Sequence, residues 1–488
     1  MKRRQATIAH LRNALGQAWH SAKSFALENA LDPFPIHKAI GRYNVTKARA
    51  DLRAGLSVAL LDLPQGMAYA VIAGLPLWYG AMCSAVASMV GPMLTSSRHT
   101  MLGPTNATAF MTFSFFASHP MANQVAHMPM LVFLVGALLI LGAYFRVADL
   151  AQYISRTVIV AYVTGAAVLI MVNQLPALLG VGLPATDQPR TVLRTLFESA
   201  ADLGHAQWTS LVLAAATFGA FVWLKRWRPQ WPAFAIVLAS MSALGALLGW
   251  AGQSVATFAD AAFTWRDLMP QFPDFMSGEA GAQFNQMFSL AVAIAFLATM
   301  EQSAMARTLA SRGGYRVDAN QDMLSLGVAN LACAYLSGMP ASGSLTRSAL
   351  NFESGARTPL ASVVNGILCL TGALTLGPFV RYVPKAVLAT LVLCIAASLI
   401  QRKSIRIALR ATRSDAIVFY VTFAATLMVP LHVAIFTGVG LSIMLYLRKA
   451  SQPSLVEYEF NKEGHLTERA GSQQRQHPSI SIVHVEGD

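Results

Sequence analysis

Long runs without one ionised side chain constrain this chain more than any other feature. No Asp, Glu, Lys or Arg occurs from Leu63 to Ser97, from His99 to Phe145, from Thr157 to Thr186 or from Ala416 to Leu447. Each run exceeds the ~20 apolar residues that cross a bilayer, and the longest have room for two crossings. Of the 488 residues, 55% are hydrophobic and only 12% charged, whereas soluble domains carry roughly 25% charged residues. The gap is too wide for an oily soluble core, so the chain reads as an all-α membrane protein in a lipid bilayer.

Punctuation by Pro, Gly and charge places crossings near 54–74, 78–96, 104–118, 128–145, 157–176, 206–224, 232–251, 285–306, 322–337, 344–354, 359–379, 385–401, 415–430 and 432–448. The basic residues test this count. Ten lie before residue 54 and fifteen more fall on loops of the same side, Arg98, Arg156, Arg307 and Arg402 among them; the other side holds only Arg190, Arg194, Arg266, Arg381 and Lys385. An even number of crossings with this asymmetry puts both termini in the cytoplasm. Residues 1–53 then form a cytoplasmic N-terminal segment and 54–450 the transmembrane domain. Polar residues 451–478 read as a linker or disordered tail, and 479–488 alternate like a strand that begins a fold the chain does not finish.

Several function classes drop out. The formal net charge of +13 is not gathered on a soluble face, so nucleic acid is not the partner. Cys83, Cys333, Cys369 and Cys394 lie far apart inside apolar segments, without metal or disulfide spacing, and the histidines show no ligand pattern, so no metal or other cofactor is expected. Charges precede the first apolar run, unlike a cleavable signal. Walker A, HExxH, CxxC and GxGxxG motifs are all missing, which speaks against an enzyme and against ATP-driven pumping.

Two crossings are too short for ordinary spans. The third starts only after Gly103-Pro104, and the tenth follows Ser337 to Gly343 and meets polar residues from Asn351 onward. They stand seven crossings apart. Broken, shortened spans at matching places in two halves of opposite orientation point to a transporter's binding site. Thr105, Asn106 and Thr108 open the third; Ser342, Ser344, Thr346 and Arg347 open the tenth, where free N–H groups and the helix dipole favour an anion. Arg347 reads either as added charge for that anion or as half of an ion pair within the bundle. Glu301 in the eighth crossing and Asp62 in the first are acids at bilayer depth, which call for a cavity, a partner or protonation. Gln65 and Tyr69 share a helix face at i, i+4, with Asp62 near it.

The quoted residues are similar to motifs of the SulP (sulfate permease) family of anion transporters. Leu63 to Tyr79-Gly80 resembles its PQxxAYAxxAGLP…YG signature, and Ser96-Ser97-Arg98-His99 with Gly103-Pro104 resembles its SSRH…GP approach to the third helix. Glu301 to Arg307 and Ser344 to Ser348 complete four ordered motifs. The resemblance implies fourteen helices in a seven-plus-seven inverted repeat, with a core domain (helices 1–4 and 8–11) moving against a gate domain (helices 5–7 and 12–14). It implies an anion between the third and tenth half-helices, lined by Gln65, Tyr69, Thr105, Leu345, Thr346 and Arg347. Glu301 matches the acidic position linked to cation coupling, and Asp62, commonly uncharged in the family, adds a second acid beside the pocket. A cytoplasmic STAS domain, here only begun, and a homodimer are further family expectations.

Together these features predict a secondary transporter of a small anion of the sulfate, bicarbonate or dicarboxylate class in a bacterial inner membrane. Proton symport through Glu301 is the preferred coupling, with sodium symport, exchange or an uncoupled channel as alternatives. A carrier of neutral nucleobases fits Arg347 poorly, and a scaffold leaves the interrupted helices unexplained.

Overall fold

The structure is a computed structural model that describes residues 31–118 apart from 33 and 42, then 124–150, 155–181, 192–228, 231–250, single positions and short stretches between 252 and 272, 280–450, 454–460, 466–468 and 482–486. Residues 1–30 of the N-terminal segment lie outside the described residues, as does most of the stretch read as a linker.

Among the described residues, fourteen helices correspond in order to the crossings read from the sequence: α1 (Val45–Ile72), α2 (Leu77–Val90), α3 (Asn106–Ser118), α4 (Gln124–Tyr144), α5 (Arg156–Asn173), α6 (Trp208–Trp227), α7 (Ala233–Trp250), α8 (Ala280–Gly313), α9 (Ala319–Tyr335), α10 (Leu345–Glu353), α11 (Leu360–Leu376), α12 (Lys385–Leu399), α13 (Arg413–Met428) and α14 (Leu431–Ala450). This is the seven-plus-seven arrangement of core and gate. Among the described residues, eight stretches are long and apolar enough to cross a bilayer by themselves. The rest of the fourteen are short or polar and depend on neighbours. α1 begins nine residues before the predicted crossing because Asn44 caps it, accepting a hydrogen bond from the Lys47 amide at 2.9 Å. Its charged first turns stand clear of the apolar span.

In the core, α4 packs along α9 and α11 along α2, two contacts between the halves that the inverted repeat interchanges. Both rest on glycine. A Cβ at Gly136 would lie 2.8 Å from the Leu331 amide nitrogen, and one at Gly366 would lie 2.6 Å from the Ala85 carbonyl. Without a hydrophobic drive between helices in lipid, such backbone approach supplies the packing. In the gate, α5 packs on α13 and α12, and α12 on α6.

Two three-residue strands organise the centre. β1 (Leu102–Pro104) pairs antiparallel with β2 (Ala341–Gly343), Gly103 opposite Ser342. β1 leads into α3 and β2 into α10, so antiparallel pairing sends the two helices away in opposite directions with their N-termini facing each other. Pro104 also denies the chain a donor that would continue a helix backward. The half-helices have 13 and nine residues, about 20 and 14 Å at 1.5 Å per residue, well short of the ~30 Å hydrocarbon core.

The tail differs from its reading as a linker. β3 (Ser454–Phe460) pairs antiparallel with both β4 (Leu466–Glu468) and β5 (Ile482–Glu486) in the order β4-β3-β5. The alternation seen from residue 479 belongs to an outer strand of this sheet. Leu455, Val456, Tyr458 and Phe460 supply a matching β-rich pattern that the many polar neighbours obscured.

Candidate anion site

The facing ends of α3 and α10 open on a cavity of about 620 Å³. Its walls come from α1, α3, α5, α8, α10 and α12, and hold Gln65, Tyr69, Thr105, Asn106, Glu301, Leu345 and Thr346. Six of the eight residues given a pocket or coupling role from the sequence are thus brought together. Gln65 and Tyr69 sit one helical turn apart, and the Gln65 Nε2 donates to the Tyr69 hydroxyl at 2.9 Å. Leu345 and Thr346 are exposed to the cavity at the start of α10.

Each half-helix begins with its own cap. Thr105 Oγ1 accepts from the Thr108 amide at 3.4 Å, and Ser344 Oγ from the Arg347 amide at 3.5 Å. The first-turn amides of Asn106 and Ala107, and of Leu345 and Thr346, have no intrahelical acceptor. Two positive dipole ends therefore meet where the chain supplies amides and hydroxyls in place of cationic side chains.

Glu301 stands at this junction. Its Oε2 accepts from the Ser342 hydroxyl at 2.7 Å and from the Thr105 hydroxyl at 3.4 Å. One carboxylate oxygen thus touches both strand–helix corners, on β2 and just before α3. An anion arriving here meets that carboxylate, so protonation of Glu301 or a cation beside it removes a like-charge repulsion.

The remaining two residues are placed elsewhere. Asp62 and Arg347 do not line the cavity; they form an ion pair with both side chains at 0% exposure. Arg347 therefore adds no free charge to the anion site, in line with the ion-pair reading. Asp62 sits three residues from Gln65, which is about 300° of helix turn. That offset of roughly 60° carries it off the cavity face and onto the face that packs against α2 and α11. Asp62 accepts from Ser84 Oγ at 2.8 Å and Asn365 Nδ2 at 2.7 Å. Those two partners were not legible beforehand, being single small polar residues in apolar helices.

Sequence reading did not assign Arg156 at the start of α5, Arg307 on α8, Ser398 or Gln401 to the cavity, yet all four line it. Arg156 had been counted as a loop charge, and Arg307 as a loop charge and the end of the motif that opens with Glu301. Among the described residues, no group of three or more His, Cys, Asp or Glu is disposed to hold a metal ion.

The family description "Sulfate permease family" matches residues 49–422. The chain is 26% identical over 450 residues to YvdB of Bacillus subtilis (strain 168), covering 91% of this chain and 81% of that one. It is also 26% identical over 427 residues to sulfate transporter 4.1, chloroplastic, of Arabidopsis thaliana, covering 86% and 62%. A third relative is the sodium-independent sulfate anion transporter of Bos taurus, 27% identical over 439 residues and covering 83% and 71%. Among solved structures, SLC26A9 superposes with a TM-score of 0.79 at 19% identity, covering 95% of this chain and 75% of that one. The transmembrane domain of the cyanobacterial bicarbonate transporter BicA gives 0.70 at 18%, covering 81% and 98%. The last two likenesses concern the fold.

Proposed function

Because the chain belongs to the sulfate permease family of membrane transporters, an integral multi-pass group that contains no enzymes, we propose that it is a secondary carrier of a small anion, held between the N-termini of α3 and α10 and coupled to protons through Glu301. The observation that carries this reading is the double contact of Glu301 Oε2 with Ser342 and Thr105. The coupling carboxylate and the anion cradle share the Thr105 hydroxyl, which lines the cavity, while the fully buried Ser342 holds the carboxylate from behind. An anion that recruits the Thr105 hydroxyl takes it from Glu301, whose charge is then best cancelled by a proton. Release of the anion returns the hydroxyl and frees the proton, which ties the two movements together.

Arg156, Arg307 and Gln401 line the cavity, and both arginines belong to the side that holds most of the basic residues. By the positive-inside rule this side is the cytoplasm, so the conformation is inward-facing with both termini inside. The sheet β3–β5 then lies on the cytoplasmic side, where members of the family carry a STAS domain. Proton coupling is preferred over sodium because Glu301 is the one carboxylate among the described residues that line the cavity, and a proton needs a single acceptor. The bovine relative's own name, sodium-independent, agrees with that choice.

The test is uptake of labelled sulfate, bicarbonate and nitrate into proteoliposomes, with and without an inward proton gradient. The expected result is gradient-driven accumulation of one of them by the wild type and its loss in Glu301→Gln. Accumulation that persists unchanged in Glu301→Gln refutes the coupling role. Gradient-insensitive flux at channel-like rates refutes the carrier.

A further inference from the structure

Arg347 is the largest side chain fully buried in the described structure, yet its neighbours Leu345 and Thr346 face the cavity while it does not. Its guanidinium turns back into the core. Nη1 donates to Asp62 Oδ1, and Nη2 donates to the Pro104 carbonyl at 2.7 Å. A Cβ at Gly103 would stand 2.6 Å from Nη1, so the guanidinium fills the space this glycine leaves beside the start of α3. Asp62 is held in turn by Ser84 and Asn365, and Asn365 Nδ2 also donates to Ser88 Oγ at 3.0 Å. Five elements, α1, α2, β1, α10 and α11, meet on one pair of charges.

Burying two charges is expensive, and well-packed apolar residues would fill the same volume at no loss of stability. The pair therefore needs a reason beyond cohesion. Its place supplies one: Pro104 is the residue before the α3 cap, and Arg347 is in the first turn of α10. The guanidinium sits directly behind both dipole ends of the anion cradle.

We infer that Asp62 is a specificity-determining positioning residue: it holds Arg347 out of the cavity and cancels its charge, tuning the cradle to a monovalent oxyanion or halide rather than a dianion. The inference rests on the anion-carrier reading and deepens it. With the pair intact, an incoming anion meets hydroxyls, amides and dipole ends but no net cationic side chain at that depth. With Asp62 neutral, one uncompensated positive charge stands behind the cradle and favours a doubly charged ligand.

Purified protein tests this by its thermal unfolding in titrations of nitrate and of sulfate, which gives an apparent affinity for each without a gradient. Wild type is expected to bind nitrate in preference to sulfate. Asp62→Asn shifts the ratio toward sulfate on the order of tenfold, the effect of one unit charge several ångström away at the effective dielectric of protein sites. Arg347→Gln, which strands a negative charge, shifts it the other way by a similar factor. The neutral double variant Asp62→Asn/Arg347→Gln restores the charge sum and returns the ratio to within about twofold of wild type, a factor worth under 1 kcal/mol. A pair serving only cohesion lowers both affinities alike, and the double variant then brings no recovery; that result overturns the inference. If Asp62→Asn fails to fold, Arg347→Gln and the double variant decide it alone. Uptake measured in parallel separates the two claims: selective binding without transport sinks the carrier, transport with an unmoved ratio sinks the role of Asp62 in specificity, and no binding of either anion sinks both.

Discussion

Glu301 and Asp62 are both carboxylates at membrane depth in the core domain, yet the protein treats them in opposite ways. Asp62 is fully buried and meets a guanidinium, a hydroxyl and an amide. Glu301 is partly exposed to a cavity and, among the described residues, has no cation paired with it and accepts from two hydroxyls. The difference teaches that an intramembrane acid is functional by what it lacks. A carboxylate saturated by a cation has nothing left to exchange, whereas one held by hydroxyls retains a vacancy for a proton or a cation.

The sharpest way to break the comparison is to remove one partner of the saturated pair. Asp62→Leu leaves Arg347 charged and enclosed, and should destabilise the protein by about 3–5 kcal/mol, the penalty for an orphaned buried charge. Glu301→Gln keeps the shape and both hydroxyl contacts, and should stay within about 1 kcal/mol of wild type. Thermal or denaturant unfolding in detergent compares them directly. Equal losses in the two variants would erase the distinction drawn between the carboxylates.

How far this was legible beforehand follows from what sequence can encode. The crossings were readable because apolar length and basic loops are one-dimensional signals, and the broken third and tenth spans were readable because Gly103-Pro104 and Ser337 to Gly343 interrupt them. Gln65, Tyr69, Thr105, Glu301 and Thr346 could be nominated from local pattern and motif. The fate of Arg347 could not, since Asp62 lies 285 residues away and no local pattern pairs them. The strand-like run at 454–460 was hidden for another reason: strand signals are weak where polar residues dominate one face.

A second prediction probes the saturated side by volume alone. Gly103→Ala introduces a methyl group 2.6 Å from Arg347 Nη1, and the guanidinium has no room to retreat because Pro104 and Asp62 hold it. Overpacking of this kind should cost about 1–3 kcal/mol. The same substitution at Gly219, where nothing lies within 4 Å of the added Cβ, should be neutral or slightly stabilising because it lies in the interior of α6. Unfolding midpoints of the two variants should therefore move in opposite directions or differ by at least the first amount.

The smallest effects belong to the two hydroxyls on Glu301, and they sharpen the open side of the comparison. Ser342→Ala removes a 2.7 Å bond to the carboxylate; because Glu301 is open to the cavity, the loss should be about 1 kcal/mol, the ordinary net worth of a hydrogen bond. Thr105→Val removes a 3.4 Å contact with the same oxygen together with the 3.4 Å cap on the Thr108 amide, both long enough to be weak. Its loss should be near 0.5 kcal/mol, the low end for an N-cap. Transport should rank the variants differently from stability. Thr105 lines the cavity and offers its hydroxyl to an arriving anion, whereas Ser342 is fully buried off it, so Thr105→Val should raise the apparent KM for uptake several-fold and Ser342→Ala should move it less, and Thr105→Ser should restore it because the hydroxyl and not the methyl does the binding. A Thr105→Val protein with wild-type KM would place the anion away from the start of α3, and the convergence of the two half-helices on one ligand would have to be abandoned.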